Sequence, residues 1–180
     1  MKYELVEVPD ERLRMISENV ELSKIQSTEF QEFLTILQEM MLKYDGGGLS
    51  AIQIGVTERV FVVNTTVYGG SAIEFFINPL VKQVGSSVKR DFDGCLSVPG
   101  YYGHTVRPKK VKVVYYNSKG ERIKGIFSGM IARTIHHELD HLNGVLWIDR
   151  VDDFTTLKKD GRSRSELSLV DLEKLKKTLE

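Results

Sequence analysis

The sequence predicts an α+β domain, with strand-like segments grouped between two helices and a third helix at the C-terminal end. Three observations carry this reading. Phe30, Phe33, Leu34, Leu37, Met40 and Met41 recur at helical spacing. Short segments between residues 59 and 127 alternate or run apolar and are bounded by Gly, Pro, Asn and Ser. A second apolar helix then carries His137-Glu138-Leu139-Asp140-His141, an H-E-x-x-H motif.

The chain has 180 residues, which suits one domain with a substantial core, so residues 1–180 are expected to form a single unit. Its 41% hydrophobic and 28% charged content is that of an ordinary globular protein. The formal net charge is +0, so nothing global points to nucleic acid or an anionic membrane. A single cysteine, Cys95, rules out an intrachain disulfide and suits a reducing compartment. The first fifteen residues have no apolar signal core and are too acidic for a transit peptide. No apolar run approaches the length of a membrane span, and a cytoplasmic protein is expected.

In order, residues 1–25 read as an extended arm with a turn at Pro9-Asp10, anchored by Leu13, Met15, Ile16 and Val20. Thr28-x-x-Gln31 fits a capping box for the first helix, which ends near residues 43–45. Gly46-Gly47-Gly48 follows. It reads either as a helix cap with a loop or as a wall against which another main chain can lie. Residues 59–64 and 73–78 read as strands joined by a loop over residues 68–71, and Pro79 begins a separate strand over 80–84. Residues 88–92 read as strand and 93–100 as a Gly- and Pro-punctuated loop carrying Cys95. Residues 110–116 and 121–127 form a hairpin about the turn at 117–120. Ser128 fits the N-cap of the motif helix, with Met130, Ile131, Ile135, Leu139 and Leu142 inward and Gly144 at C′. Residues 144–151 leave as an extended segment and 158–165 as a polar loop. Residues 166–180 form the final helix, with Leu169, Leu172, Leu175 and Leu179 on one side.

The H-E-x-x-H motif carries the chemistry. Residues four apart on a helix stack on one face, so His137 and His141 can present two imidazoles to one cation. Glu138 stands beside the first of them, placed to take a proton from water activated there. The bland alternative is two ordinary histidines on a buried helix, and a glutamate in that slot favours the metal. A catalytic site of this kind needs a third protein ligand. Cys95 and a downstream carboxylate such as Glu166 can each supply it.

Three segments in order resemble the peptide deformylase family. Gly46-Gly47-Gly48-Leu49-Ser50-Ala51-Ile52-Gln53 is similar to its G-x-G-L-A-A-x-Q, Asp93-Gly94-Cys95-Leu96-Ser97 to E-G-C-L-S, and His136 through Leu142 to Q-H-E-x-D-H-L. The opening Pro9 to Arg14 is also similar, and the likeness spans roughly residues 5–150. The resemblance implies antiparallel sheets around a central metal-binding helix. It implies removal of the N-formyl group from the initiator methionine of new polypeptides, releasing formate. It also implies Cys95, His137 and His141 as ligands of one divalent ion, usually Fe²⁺, with Ni²⁺, Co²⁺ or Zn²⁺ able to substitute. Glu138 would move the proton, while the Gln53 amide and the Leu96 backbone N–H would stabilise the oxygen that gains charge. The nascent peptide would lie as an added strand against Gly46, Gly47 and Gly48, with Gly94 opposite and Met130 lining the methionine pocket.

Two departures stand out. Asp93 replaces the usual Glu, so an ion pair holding the cysteine loop would need a nearer partner, for which Arg107 is the candidate. Ser50 stands where Ala is usual, and a small effect is expected. His136 and Asp140 are read as non-ligands, Asp140 supporting the ligands from behind, and His104 as a loop residue without a role. The other functions weighed are a metallo-endopeptidase using Glu166 and a catalytically idle module that holds nascent N-termini. The expected partners are formylmethionyl nascent peptides; the lysines of the C-terminal helix read first as a solvated face, with ribosome contact as the lesser alternative, and a monomer is favoured.

Overall fold

The computed structural model describes residues 3–159 and 168–177. Its helices are α1 (Thr28–Lys43), α2 (Gly129–Leu142) and α3 (Leu169–Leu175). Its strands are β1 (Gly48–Ser50), β2 (Val60–Asn64), β3 (Ile73–Gln83), β4 (Val88–Cys95), β5 (Val98–Pro108), β6 (Lys110–Tyr116), β7 (Arg122–Ser128) and β8 (Lys158–Lys159). One antiparallel sheet runs β1-β2-β3-β6-β7 and a second runs β4-β5-β8.

The strand β2 is buried on both faces, and its first four residues, Val60 to Val63, are apolar. Val60 and Val62 pack with Leu34, Leu37 and Met41 of α1. Phe61 and Val63 turn the other way, onto Ala132, Ile135 and Leu142 of α2. The β4–β5 hairpin covers the opposite side of α2, which therefore lies between the two sheets. A third cluster, built on Leu13, Val98, Trp147 and Leu172, fastens the N-terminal arm and α3 to that hairpin.

Several local expectations are corrected. The cap of α1 is Ser27, whose Oγ accepts from the Phe30 N–H; Thr28 is already helical, and Gln31 donates instead to the Ile25 carbonyl. Met15 and Ile16 are 47% and 70% exposed, so Leu13 and Val20 anchor the arm without them. Residues 73–83 are one strand. Asn78, with φ 50, absorbs a register break ahead of Pro79, and its amide pairs with the backbone of Val20. The hairpin is longer than its punctuation suggests, because β4 continues to Cys95 and β5 starts at Val98. His104 is therefore a strand residue, its ring 4.2 Å from that of Phe92. Residues Trp147–Arg150 form a 3-10 turn rather than an extended segment. The last helix stops at Leu175, where Asp149 Oδ1 accepts from the Lys177 N–H at 2.7 Å and turns the chain away. Glu166 and Leu179 lie outside the described residues. Among the described residues, no helix is long and apolar enough to cross a membrane.

Candidate metal centre

The functional residues gather where α2 meets β1 and the end of β4. Gly48 makes the first junction. A Cβ there would stand 2.7 Å from Glu138 Oε1 and 2.9 Å from Thr134 Cγ2, so only glycine lets β1 approach the helix this closely. None of Gly46, Gly47 and Gly48 has a positive φ; Asp45, with φ 53, makes the turn out of α1. The Gly46 N–H still closes the helix end on the Met41 carbonyl at 2.9 Å, while Gly47 and Gly48 serve close approach, and β1 is an edge strand. The second junction is Cys95, the last residue of β4, which follows a break in register with β5 that re-aims the strand end.

The donor atoms of Cys95, His137 and His141 lie within 4.8 Å of one another. Cys95 Sγ is 3.1 Å from His141 Nε2. His137 Nδ1 is 2.9 Å from Asp93 Oδ1, which turns Nε2 toward the other two donors. His141 Nδ1 has no protein partner. One thiol and two imidazoles converging at this distance fit a first-row divalent cation with one position open. Burial alone would push the Cys95 thiol up, but the positive charge and hydrogen bonds of His141 and His137 bring it down to about 5. The two imidazoles thus favour the thiolate, the form in which a cysteine binds a metal. Burial opposes the charge of His137 as well, and the Asp93 carboxylate overcomes it, holding the imidazole well above its ordinary value.

Behind the three donors lies a buried charge network. Asp93 Oδ2 accepts from Arg107 Nε at 2.7 Å and from Thr105 Oγ1 at 2.8 Å. Thr105 and Arg107 lie on one face of β5, and β4 pairs Asp93 with Gly103, so the short carboxylate reaches both. Arg107, 1% exposed, also donates to Asp140 Oδ2 at 2.7 Å, and Arg150 Nε donates to the same oxygen at 2.6 Å. Burial works against ionised Asp93, yet His137, Arg107 and Arg133 keep it well below the usual carboxylate range. Asp140 supports the centre from behind. His136 lies beside the same arginine, and its burial pushes it down to about 4.

Glu138 and Gln53 flank the cluster. Burial raises the Glu138 carboxyl, with His137, His141 and a hydrogen bond from Ser50 pulling the other way. The Ser50 hydroxyl lies 2.7 Å from Glu138 Oε2 and 3.1 Å from the Glu138 carbonyl. The Ser50 N–H donates to Gln53 Oε1 at 2.8 Å, which fixes which way round the amide sits. Gln53 Nε2 then faces Cys95 Sγ at 3.4 Å and Ser97 Oγ at 3.1 Å. The hydroxyl that Ser50 carries in place of the usual Ala methyl is thus set against Glu138, while the backbone N–H that orients Gln53 would be the same with Ala.

A cavity of about 880 Å³ opens here, and Gln53, Gly94, Cys95, Leu96, His137 and Glu138 all face it. Gly46, Gly47 and Gly48 form one wall. His141 lies beneath, almost fully buried. Met130 stands at the rim, 42% exposed, rather than packing inward. The sequence reading did not single out Arg133, Arg150 and Tyr68. Arg133 donates to the carbonyls of Asp91, Phe92 and Thr105, tying the hairpin to α2. An arginine on the buried face of the motif helix was the available signal.

The polypeptide deformylase family model matches residues 2–156. A peptide deformylase of Fusobacterium nucleatum is 37% identical over 151 residues, covering 84% of each chain. The crystal structure of peptide deformylase from Thermotoga maritima superposes with a TM-score of 0.77 at 34% identity, over 84% of this chain and 98% of that one. A Met-Ala-Ser-bound peptide deformylase from Acinetobacter baumannii superposes with a TM-score of 0.77 at 28% identity, over 82% of this chain and 97% of its own. This chain belongs to the peptide deformylase family.

Proposed function

We propose that the chain hydrolyses the N-formyl group from the formylmethionine of newly made polypeptides and releases formate. We propose further that Cys95, His137 and His141 hold one divalent cation, Fe²⁺ in its working form. The observation that carries the reading is the convergence of those three donors beside Glu138 and Gln53. When bound, the cation supplies Lewis-acid polarisation and lowers the pKa of water. The remaining steps belong to the chain's own groups. Glu138 takes the proton of the attacking water and returns it to the leaving amine, a task suited to a carboxyl whose affinity for protons burial has raised. Gln53 Nε2 and the Leu96 N–H donate to the formyl oxygen as it gains charge, each worth ~3 kcal/mol if well aimed.

The peptide main chain pairs along Gly46, Gly47 and Gly48, with Gly94 opposite and Met130 beside the first side chain. The edge position of β1 supports this, as does the Met-Ala-Ser held by the Acinetobacter relative. Main-chain pairing reads no side chains, which suits an enzyme acting on many N-termini. The enzyme works as a cytoplasmic monomer on chains emerging from the ribosome. The endopeptidase alternative is not favoured, since the matching family and relatives are deformylases.

Replacing Cys95 with Ser tests the ligand set. C95S should lose both its metal by elemental analysis and its formate release. A variant that kept one full equivalent of metal would require a different third ligand.

A further inference from the structure

The loop joining β2 and β3 reaches into the cavity at one residue. Tyr68 closes a 3-10 turn over Thr65–Tyr68 and is followed by Gly69 at φ 81. The turn is tied down at both ends. Asn64 Oδ1 accepts from the Thr66 N–H at 3.2 Å, and the Gly70 N–H donates to the Thr65 carbonyl at 2.8 Å. From this base the phenol lies across Gly47. A Cβ on Gly47 would stand 2.0 Å from the Tyr68 oxygen, so the ring fills the place a side chain at residue 47 would take. Thr134 Oγ1 donates to the Tyr68 oxygen at 3.2 Å. Thr134 lies four residues before Glu138, about 6 Å along the axis. Met130 lies a further turn away, at the rim of the same cavity.

A peptide paired along Gly46 to Gly48 with its formyl carbon beside Glu138 would project its first side chain into this corner. Tyr68 and Thr134 meet there, Met130 lines the same cavity, and Gly47 contributes no bulk. We propose that Tyr68 is a specificity-determining residue, the wall that sets the size of the pocket for the first side chain. The pocket then accepts an unbranched side chain of methionine length and rejects a wider one. Tyr68 and Gly47 act as a steric pair, so bulk at one position requires its absence at the other. The assignment rests on the deformylase reading.

The test measures kcat/KM for formate release from formyl-Met-Ala-Ser and formyl-Phe-Ala-Ser, with wild type, Y68A, G47V and G47V/Y68A. One misfitted group in an apolar pocket changes such ratios roughly tenfold or more. Y68A should raise the Phe-to-Met ratio by about that factor. G47V should lower turnover of the Met peptide and lower the thermal midpoint. Adding Y68A to it should recover both towards the Y68A values. If Y68A does not fold, Y68L should shift the ratio in the same direction by a smaller factor. An unchanged ratio in Y68A or Y68L, or a G47V defect equally deep in the Y68A background, overturns the Tyr68 assignment alone. No formate from either peptide with wild type would instead overturn the deformylase reading.

Discussion

Glu138 is held in place by a residue that its own motif does not contain. Its Oε2 lies against the buried Ser50 hydroxyl, and Gly48 leaves room for its Oε1. S50A removes one hydrogen bond to the ionised carboxylate, worth about 1.5 kcal/mol, so kcat should fall about tenfold with KM nearly unchanged. That bond favours the charged form, so its loss raises the Glu138 pKa further. The acid limb of the kcat profile should therefore move to higher pH. A loss confined to KM, or a limb moved to lower pH, would contradict the role given to Ser50. His137, Glu138 and His141 were legible in the sequence because four-residue spacing on a helix fixes a shared face. Ser50 meets Glu138 across 88 residues of chain, and no local pattern encodes that contact.

The β4–β5 hairpin is the element that turns a helix with two histidines into a three-donor centre. It delivers Cys95 and, through Asp93 and Arg107, fixes His137 from behind. R107A would leave Asp93 and Asp140 short of their buried counter-charge, at a cost of about 3–5 kcal/mol in denaturant unfolding. A cost near zero would show the network to be idle. The pH dependence follows from Asp93, whose pKa is lowered on folding. Its contribution is present above the unfolded value of about 4 and is lost as pH falls towards the folded one. The wild type should therefore lose more stability than D93N between pH 5 and pH 2, taking these as rough bounds, as read from urea midpoints. An equal loss would exclude Asp93 as a source of acid sensitivity. The sequence shows Gly94, Pro99 and Gly100 as loop punctuation, whereas strand pairing absorbs them and carries β4 and β5 to either side of a two-residue tip. Asp93 and Arg107 are similar: their pairing depends on strand register, which residue types alone do not set.

At the scale of the molecule, the apolar patterns of α1, β2 and α2 state the architecture almost directly. A strand with four consecutive apolar residues, Val60 to Val63, needs cover on both faces, and two amphipathic helices supply it. The second sheet and the C-terminal cap were less legible, because Trp147, Leu172 and the N-terminal arm find each other only after the chain has closed. All of this packing serves one arrangement, a buried helix whose single open face meets an edge strand and a thiol. This face is built to hydrolyse formyl peptides rather than internal peptide bonds. The decisive measurement is formate release from formyl-Met-Ala-Ser by reduced protein loaded with Ni²⁺, or with Fe²⁺ without oxygen, beside an unformylated peptide watched for internal cleavage. Formate together with an intact second peptide is the expected result. Internal cleavage without formate, or neither product from metal-loaded protein, would contradict the deformylase reading.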